Sequence, residues 1–385
     1  MESRPQQSLQ ASAEKKELPA QPAVLPTGVF EQTLFSERGL RAGWPAALFL
    51  LLSYFLQIVL GSIAWATGTN SFHLAMDHFG AGQEILEELA AFAAMVCAAL
   101  VASRMDGRRL DDYFLRDKVG LRHASVGIAA GFAALSVLVA ALCAGGWLHL
   151  SYGGLNVAQN LRFAAVWGFG FLLVGLTEEG SFRCFLLGTL ERGMNFWWAA
   201  GTLAALLGFL LTNADRHGAG GFYAAVAVGI APCGWLHWRR VRSSQFWQAA
   251  WATSAGFGFV HTYNTGETAV GIFSAALIGF TFCVSIRVTG SAWWGIGFHS
   301  AWDWAQTYFY GTPDSGLIPQ GHLLASATAG SALWSGGKAG PEGSLLVIPV
   351  TLLVLAGLTL FYWKTVYSKR APEDAASPLG QAQLS

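Results

Sequence analysis

The stretch GLTEEGSFRCFLL, residues 175–187, decides how this chain is read. Two adjacent glutamates, Glu178 and Glu179, and an arginine, Arg183, interrupt an otherwise apolar run. If the surroundings are hydrocarbon, each charge is expensive. An ionised carboxylate at the centre of a bilayer costs roughly 2.5–3.5 kcal/mol on insertion scales. Charges survive there by pairing, by taking a proton or by facing a polar cavity.

Composition says that the surroundings are hydrocarbon. The chain has 385 residues, of which 53% are hydrophobic and 12% charged. Its mean hydropathy is +0.42. A soluble domain carries about 25% charged residues, so half of that reads as a polytopic membrane protein. Lysine plus arginine balance aspartate plus glutamate at 23 each, which gives no electrostatic footprint for a nucleic-acid partner. The five cysteines all lie in apolar runs without CxxC spacing, as small buried residues do. The expected fold class is all-α, a polytopic transmembrane helix bundle of about ten spanning helices. These fall near 44–67, 85–103, 124–148, 163–182, 196–213, 220–236, 246–263, 269–286, 292–309 and 345–363, with the fourth able to continue to about 190. Residues 1–42 form a polar, disordered cytoplasmic segment, 43–367 the transmembrane domain and 368–385 a polar tail.

Lysine and arginine set the orientation, because basic loops stay cytoplasmic. Arg104, Arg108, Arg109, Arg116, Lys118 and Arg122 follow the second span, Arg192 the fourth, Arg239 and Arg240 the sixth, and Arg287 the eighth. Alternating passage of ten helices puts all of them on one side, with both termini inside. FWWAAGTLAALLGFLLT (196–212) also echoes FWQAAWATSAGFGFVHT (246–262) at an offset of fifty, with Leu211 where His261 stands. A local duplication and shared membrane composition both account for it.

Helical spacing then sorts the charges. Glu179 and Arg183 are four apart and share a face. Glu178 lies about 100° round the helix from Glu179. One arginine therefore cannot hold both carboxylates equally, and one is free to face something else. FGFVH (257–261) aligns Phe257 with His261, and HSAWD (299–303) aligns His299 with Asp303. A lone histidine in an apolar helix is ordinarily a hydrogen-bonded core residue. Glutamate, two histidines and aspartate on three helices point instead to a general acid–base site or a metal site. Glu84, Glu87 and Glu88 read as acids suited to the positive end of the second helix.

EEGSFR, FGFVH and HSAWD resemble, in order, the EExxxR, FxxxH and HxxxN/D motifs of the CPBP family of intramembrane proteases, the type II CAAX prenyl protease relatives that include bacteriocin-immunity proteins. The resemblance covers about 163–310 and is nearest the bacterial branch. It implies an intramembrane endopeptidase in the bacterial cytoplasmic membrane. Glu178 is then the base and His261 its partner on the attacking water. His299 and Asp303 contact the developing oxyanion or a metal. Glu179 and Arg183 position the helix and the substrate's C-terminus. The implied cofactor is a divalent, zinc-like metal, or none where glutamate alone activates water. The implied partners are membrane lipid and a peptide or protein substrate, lipidated or membrane-embedded, with no nucleic acid.

Two departures stand out. The pair 196–213 and 220–236 intervenes between the first two motifs, and an inserted pair preserves orientation. Asp303 stands where asparagine is common, and an ionised aspartate cannot donate to an oxyanion as an amide does. The alternatives are a non-proteolytic membrane scaffold or immunity-type protein, and a proton-coupled transporter. The absence of two matching halves speaks against the transporter.

Overall fold

The computed structural model describes residues 33–36, 39–67, 78–79, 81–212, 230–241, 243–264 and 266–362. They fall into two units. In Met1–Arg41 the strands β1 (Phe35–Ser36) and β2 (Gly39–Leu40) pair antiparallel. Ala42–Ser385 is predominantly helical: α1 (Gly43–Ala66), α2 (Ala81–Met105), α3 (Gly120–Ala144), α4 (Val157–Glu179), α5 (Leu187–Leu190), α6 (Phe196–Thr212), α7 (Ser244–Val260), α8 (Ala269–Thr289), α9 (Trp293–Trp304) and α10 (Val347–Phe361). Short strands close one end. β3 (His78–Phe79) runs parallel to β5 (Ile318–Pro319), and β4 (Leu148–Tyr152) antiparallel to β6 (Leu324–Thr328).

The count of about ten spanning helices is corrected. Among the described residues five helices have the length and composition to cross a membrane: Gly43–Ala64, Ile85–Met105, Gly120–Ala144, Val157–Leu190 and Ala269–Thr289. Phe196–Gly208 and Val347–Phe361 are apolar but shorter. The expected spans at 246–263 and 292–309 fold as α7, 17 residues, and α9, 12 residues. Hydropathy counts apolar composition and not what surrounds it. A short apolar helix is more simply a core element wrapped by others than a span. The expected span at 220–236 lies mostly outside the described residues, as do most of 1–42 and all of 368–385.

Packing follows from small residues. Gly127 and Gly131 on α3, a GxxxG pair, let that helix press against the backbone of α9, and Gly297 on α9 faces Ala124 in return. An added Cβ at Gly127 would collide with the Trp294 carbonyl oxygen, and at Gly131 with that of Phe298. Such stripes let helix backbones approach closely in an apolar medium. α8 is the central element, with 61% of its most apolar window buried against 11% for α1. Its ends are set by Thr268, whose hydroxyl accepts from Gly271 N–H at 3.0 Å, and by Gly290 at φ 79°. α4 begins with a reciprocal cap, Asn156 Oδ1 accepting from Gln159 N–H at 2.9 Å and Asn156 N–H donating back at 3.0 Å.

The basic loops gather at one end. Arg108 Nη1 donates to Gly188 O at 2.7 Å, joining the loop after α2 to the end of the α4–α5 rod. Arg287 Nη2 donates to Ser243 Oγ at 3.0 Å, joining the end of α8 to the start of α7. Trp293 Nε1 donates to Leu115 O at 3.1 Å, which puts the start of α9 there too. α3 leaves this end at Gly120 and reaches β4 at the other, where β4 pairs with β6.

Candidate functional site

The quoted stretch builds the floor of the site. α4 does not stop at Glu179. It passes through a π turn, Gly180–Leu186, into α5, so the apolar rod runs from Val157 to Leu190, 34 residues. Glu178 is therefore interior to a long helix and does not stand at its end. A π turn holds an extra residue per turn and re-aims the side chains beyond it; such turns recur at functional sites. A second one, Ala305–Phe309, comes directly after α9, which carries His299 and Asp303.

Glu179 and Arg183 pair as their spacing predicts. Arg183 Nη1 lies 3.2 Å from Glu179 Oε1, each side chain being 1% exposed. The approach is that of an ion pair without hydrogen-bond alignment, because the guanidinium nitrogens find no aligned acceptor among the described residues. The guanidinium instead lies over the Phe257 ring, 3.9 Å from its centroid. Gly279 on α8 makes room, since a Cβ there would collide with Arg183 Nη2. The same Phe257 ring sits 4.6 Å from the His261 ring. The phenylalanine of FGFVH thus separates the buried cation from the imidazole.

The two histidines are oriented from behind. His261 Nδ1 lies 2.8 Å from Phe257 O. A carbonyl only accepts, so Nδ1 carries the hydrogen, and in the neutral ring Nε2 is left as a lone-pair acceptor. His299 Nδ1 lies 2.9 Å from Glu179 Oε1, again an acceptor. Its Nε2 lies 3.4 Å from Asp303 Oδ2 and 3.7 Å from Glu178 Oε2. Glu178, with its side chain 37% exposed, is the carboxylate left free of Arg183.

Glu178, His261, His299 and Asp303, from α4, the turn after α7, and α9, line one cavity of about 210 Å³. Glu179 and Arg183 lie behind that wall. Three further acids line the cavity that no motif marks: Glu88 of α2, Asp314 and Glu342. Glu88 reads in the sequence as a partner of the helix dipole alone. Asp314 and Glu342 stand in loops, where no periodicity marks them. Asp314 accepts from Thr307 Oγ1 at 2.7 Å, and burial holds its carboxyl well above the usual carboxylate range. A second, mostly apolar recess of about 60 Å³ adjoins, sharing His261, His299, Asp303 and Glu342 and walled by Phe257, Ile278, Phe298 and Val347.

Carboxylates and imidazoles are suitable metal donors. Among the described residues, however, no three His, Cys, Asp or Glu side chains are grouped so as to hold a metal ion.

Apolar helices of spanning length around a buried ionisable centre define an integral membrane protein whose polar residues meet inside the bundle. Residues 233–305 match the protein-family model described as type II CAAX prenyl endopeptidase Rce1-like, so the chain carries a domain of the CPBP, type II CAAX protease, family in that part. The match contains His261, His299 and Asp303; Glu178, Glu179 and Arg183 lie outside it. No curated protein and no solved structure matches the chain.

Proposed function

We propose that the protein is an intramembrane endopeptidase of the CPBP type, hydrolysing a peptide bond inside the bilayer. The observation that carries this reading is the convergence of Glu178, His261, His299 and Asp303 on one cavity. Glu178 is the base. It takes a proton from a water that His261 Nε2 orients by accepting its second hydrogen. His299, held at Nδ1–H by Glu179, acts as the doubly protonated ring beside Asp303 and donates Nε2–H towards the carbonyl oxygen that becomes the oxyanion. Glu179 and Arg183 act through His299 and Phe257, and neither needs to touch substrate.

The substrate is a peptide or protein segment in or at the membrane, lipidated or membrane-embedded. The basic loops face the cytoplasm, with both termini on that side, in a bacterial cytoplasmic membrane. The metal content of the purified protein tests the metal-assisted form of the same hydrolysis.

The deciding experiment is cleavage of a membrane-peptide library by the full chain in liposomes, wild type beside Glu178→Ala. Loss of at least about a hundredfold is expected, the scale of general acid–base catalysis. Equal cleavage, or none by the wild type, removes the reading and leaves a scaffold or immunity-type protein.

A further inference from the structure

Hydrolysis of an amide needs two proton transfers, and the three motifs account for one. The nitrogen that leaves must be protonated as its bond to carbon breaks. Glu342 is a candidate source of that second proton. It lies outside every motif in the sequence and outside the segment that matches the family model. It lines both the cavity that holds Glu178 and the adjoining apolar recess.

Its placement is built. Trp302 Nε1, one residue before Asp303, reaches Glu342 Oε1 at 3.2 Å and Gln306 Oε1 at 3.1 Å. Gln306 Nε2 in turn donates to Pro313 O at 3.0 Å. Ser274 Oγ of α8 donates to the Glu342 carbonyl at 3.1 Å. Gly340, at φ 89°, packs on the Pro313 carbonyl where any Cβ would collide, so the turn ahead of Glu342 is pressed against the loop carrying Asp314. One carboxyl oxygen is thereby fixed by an indole N–H, and the other can carry a transferable proton.

Two of the other acids in the cavity are engaged elsewhere. Asp303 faces His299, and Asp314 accepts from Thr307. The groups around Glu342 are Asp303 and His299 of α9, Asp314, Glu267 in the loop before α8, and His261 and Glu178 across the cavity. Burial, with the nearby carboxylates of Asp314 and Glu267, holds the Glu342 carboxyl well above its ordinary range.

We propose that Glu342 is the general acid that protonates the departing amine. This rests on the proteolytic reading above. Water oxygen bonds to the carbonyl carbon as Glu178 takes one of its protons. The carbon–nitrogen bond then breaks, its electron pair goes to nitrogen, and nitrogen takes the proton of the Glu342 carboxyl. Glu178 is left protonated and Glu342 ionised. A proton passing between them through the cavity restores both.

The test compares one peptide cleaved in the library with its thioester analogue at the same bond. A thiolate leaves without a proton. Glu342→Gln, which keeps an acceptor for Trp302, is expected to slow amide cleavage by about a hundredfold and thioester cleavage by no more than about threefold. Glu342→Asp is expected to recover part of the amide rate. Equal losses on both substrates indicate a structural role and overturn the proposal, as does an unchanged amide rate. If Glu178→Ala abolishes cleavage in that same outcome, only the assignment of Glu342 falls. If Glu178→Ala cleaves like wild type, the proteolytic reading falls and this assignment with it.

Discussion

His299 Nδ1 and Glu179 Oε1 lie 2.9 Å apart across the packing of α9 on α4, and that bond divides the labour of two adjacent glutamates. Glu179 is buried with Arg183 on one side and His299 on the other. Glu178 looks into the cavity.

Stability and activity should therefore separate between them. Glu179→Ala leaves the Arg183 charge buried without its carboxylate, and breaking such a pair costs about 3–5 kcal/mol. Glu178→Ala removes a partly exposed side chain whose ion-pair approach among the described residues is the 3.7 Å to His299. We expect thermal unfolding in detergent to drop steeply for Glu179→Ala and to move little for Glu178→Ala, while both lose cleavage. Equal unfolding temperatures for the two variants would contradict the division.

Gly279 makes a sharper version of the same point. It lies on α8, away from any motif, yet its missing Cβ is the space that Arg183 fills. Gly279→Ala should displace the guanidinium from Phe257 and cost about 1–3 kcal/mol, the range for overpacking a core. Gly201, on α6, has open space around it. Gly201→Ala at that site should be neutral or slightly stabilising by helix propensity. Unfolding of the two variants side by side checks the contrast.

Parts of this centre are legible in the sequence, and the reasons differ residue by residue. Glu179 with Arg183, and Phe257 with His261, follow from four-residue spacing on a helix, which is local geometry. That Glu178 stays free follows from the same geometry. Glu88, Asp314 and Glu342 are not legible, because a loop or a helix end delivers them and only tertiary packing puts them beside Glu178. The helix count fails for a related reason. α9 is apolar enough to resemble a span, yet it is a short core helix held against α3 by glycines, and hydropathy does not register such contacts.

The cavity should open away from the basic loops. α9 starts beside Leu115 at the basic end, and the chain after it carries Asp314 and Ser315 before reaching β6 at the other end. Ser315→Cys in sealed, oriented membranes should react with an impermeant maleimide added on the side opposite those loops, beyond the background of the native cysteines. Labelling solely from the basic side would contradict this access route.

Glu267 gives a pH signature. Burial pushes its carboxyl up from the ordinary 4.5 to about 7, against the hydrogen bond its Oε1 accepts from Thr268 N–H at 2.7 Å. The folded pKa is the higher one, so the unfolded chain ionises first as pH rises. No penalty exists below about pH 4.5. It grows between about 4.5 and 7, and is constant above, where it reaches at most about 3 kcal/mol. Glu267→Gln keeps an acceptor for Thr268 and removes the ionisation. The variant should therefore unfold at a higher temperature than wild type at pH 8, and at the same temperature at pH 4. A gain of the same size at both values would mean that something other than the ionisation of Glu267 sets the difference.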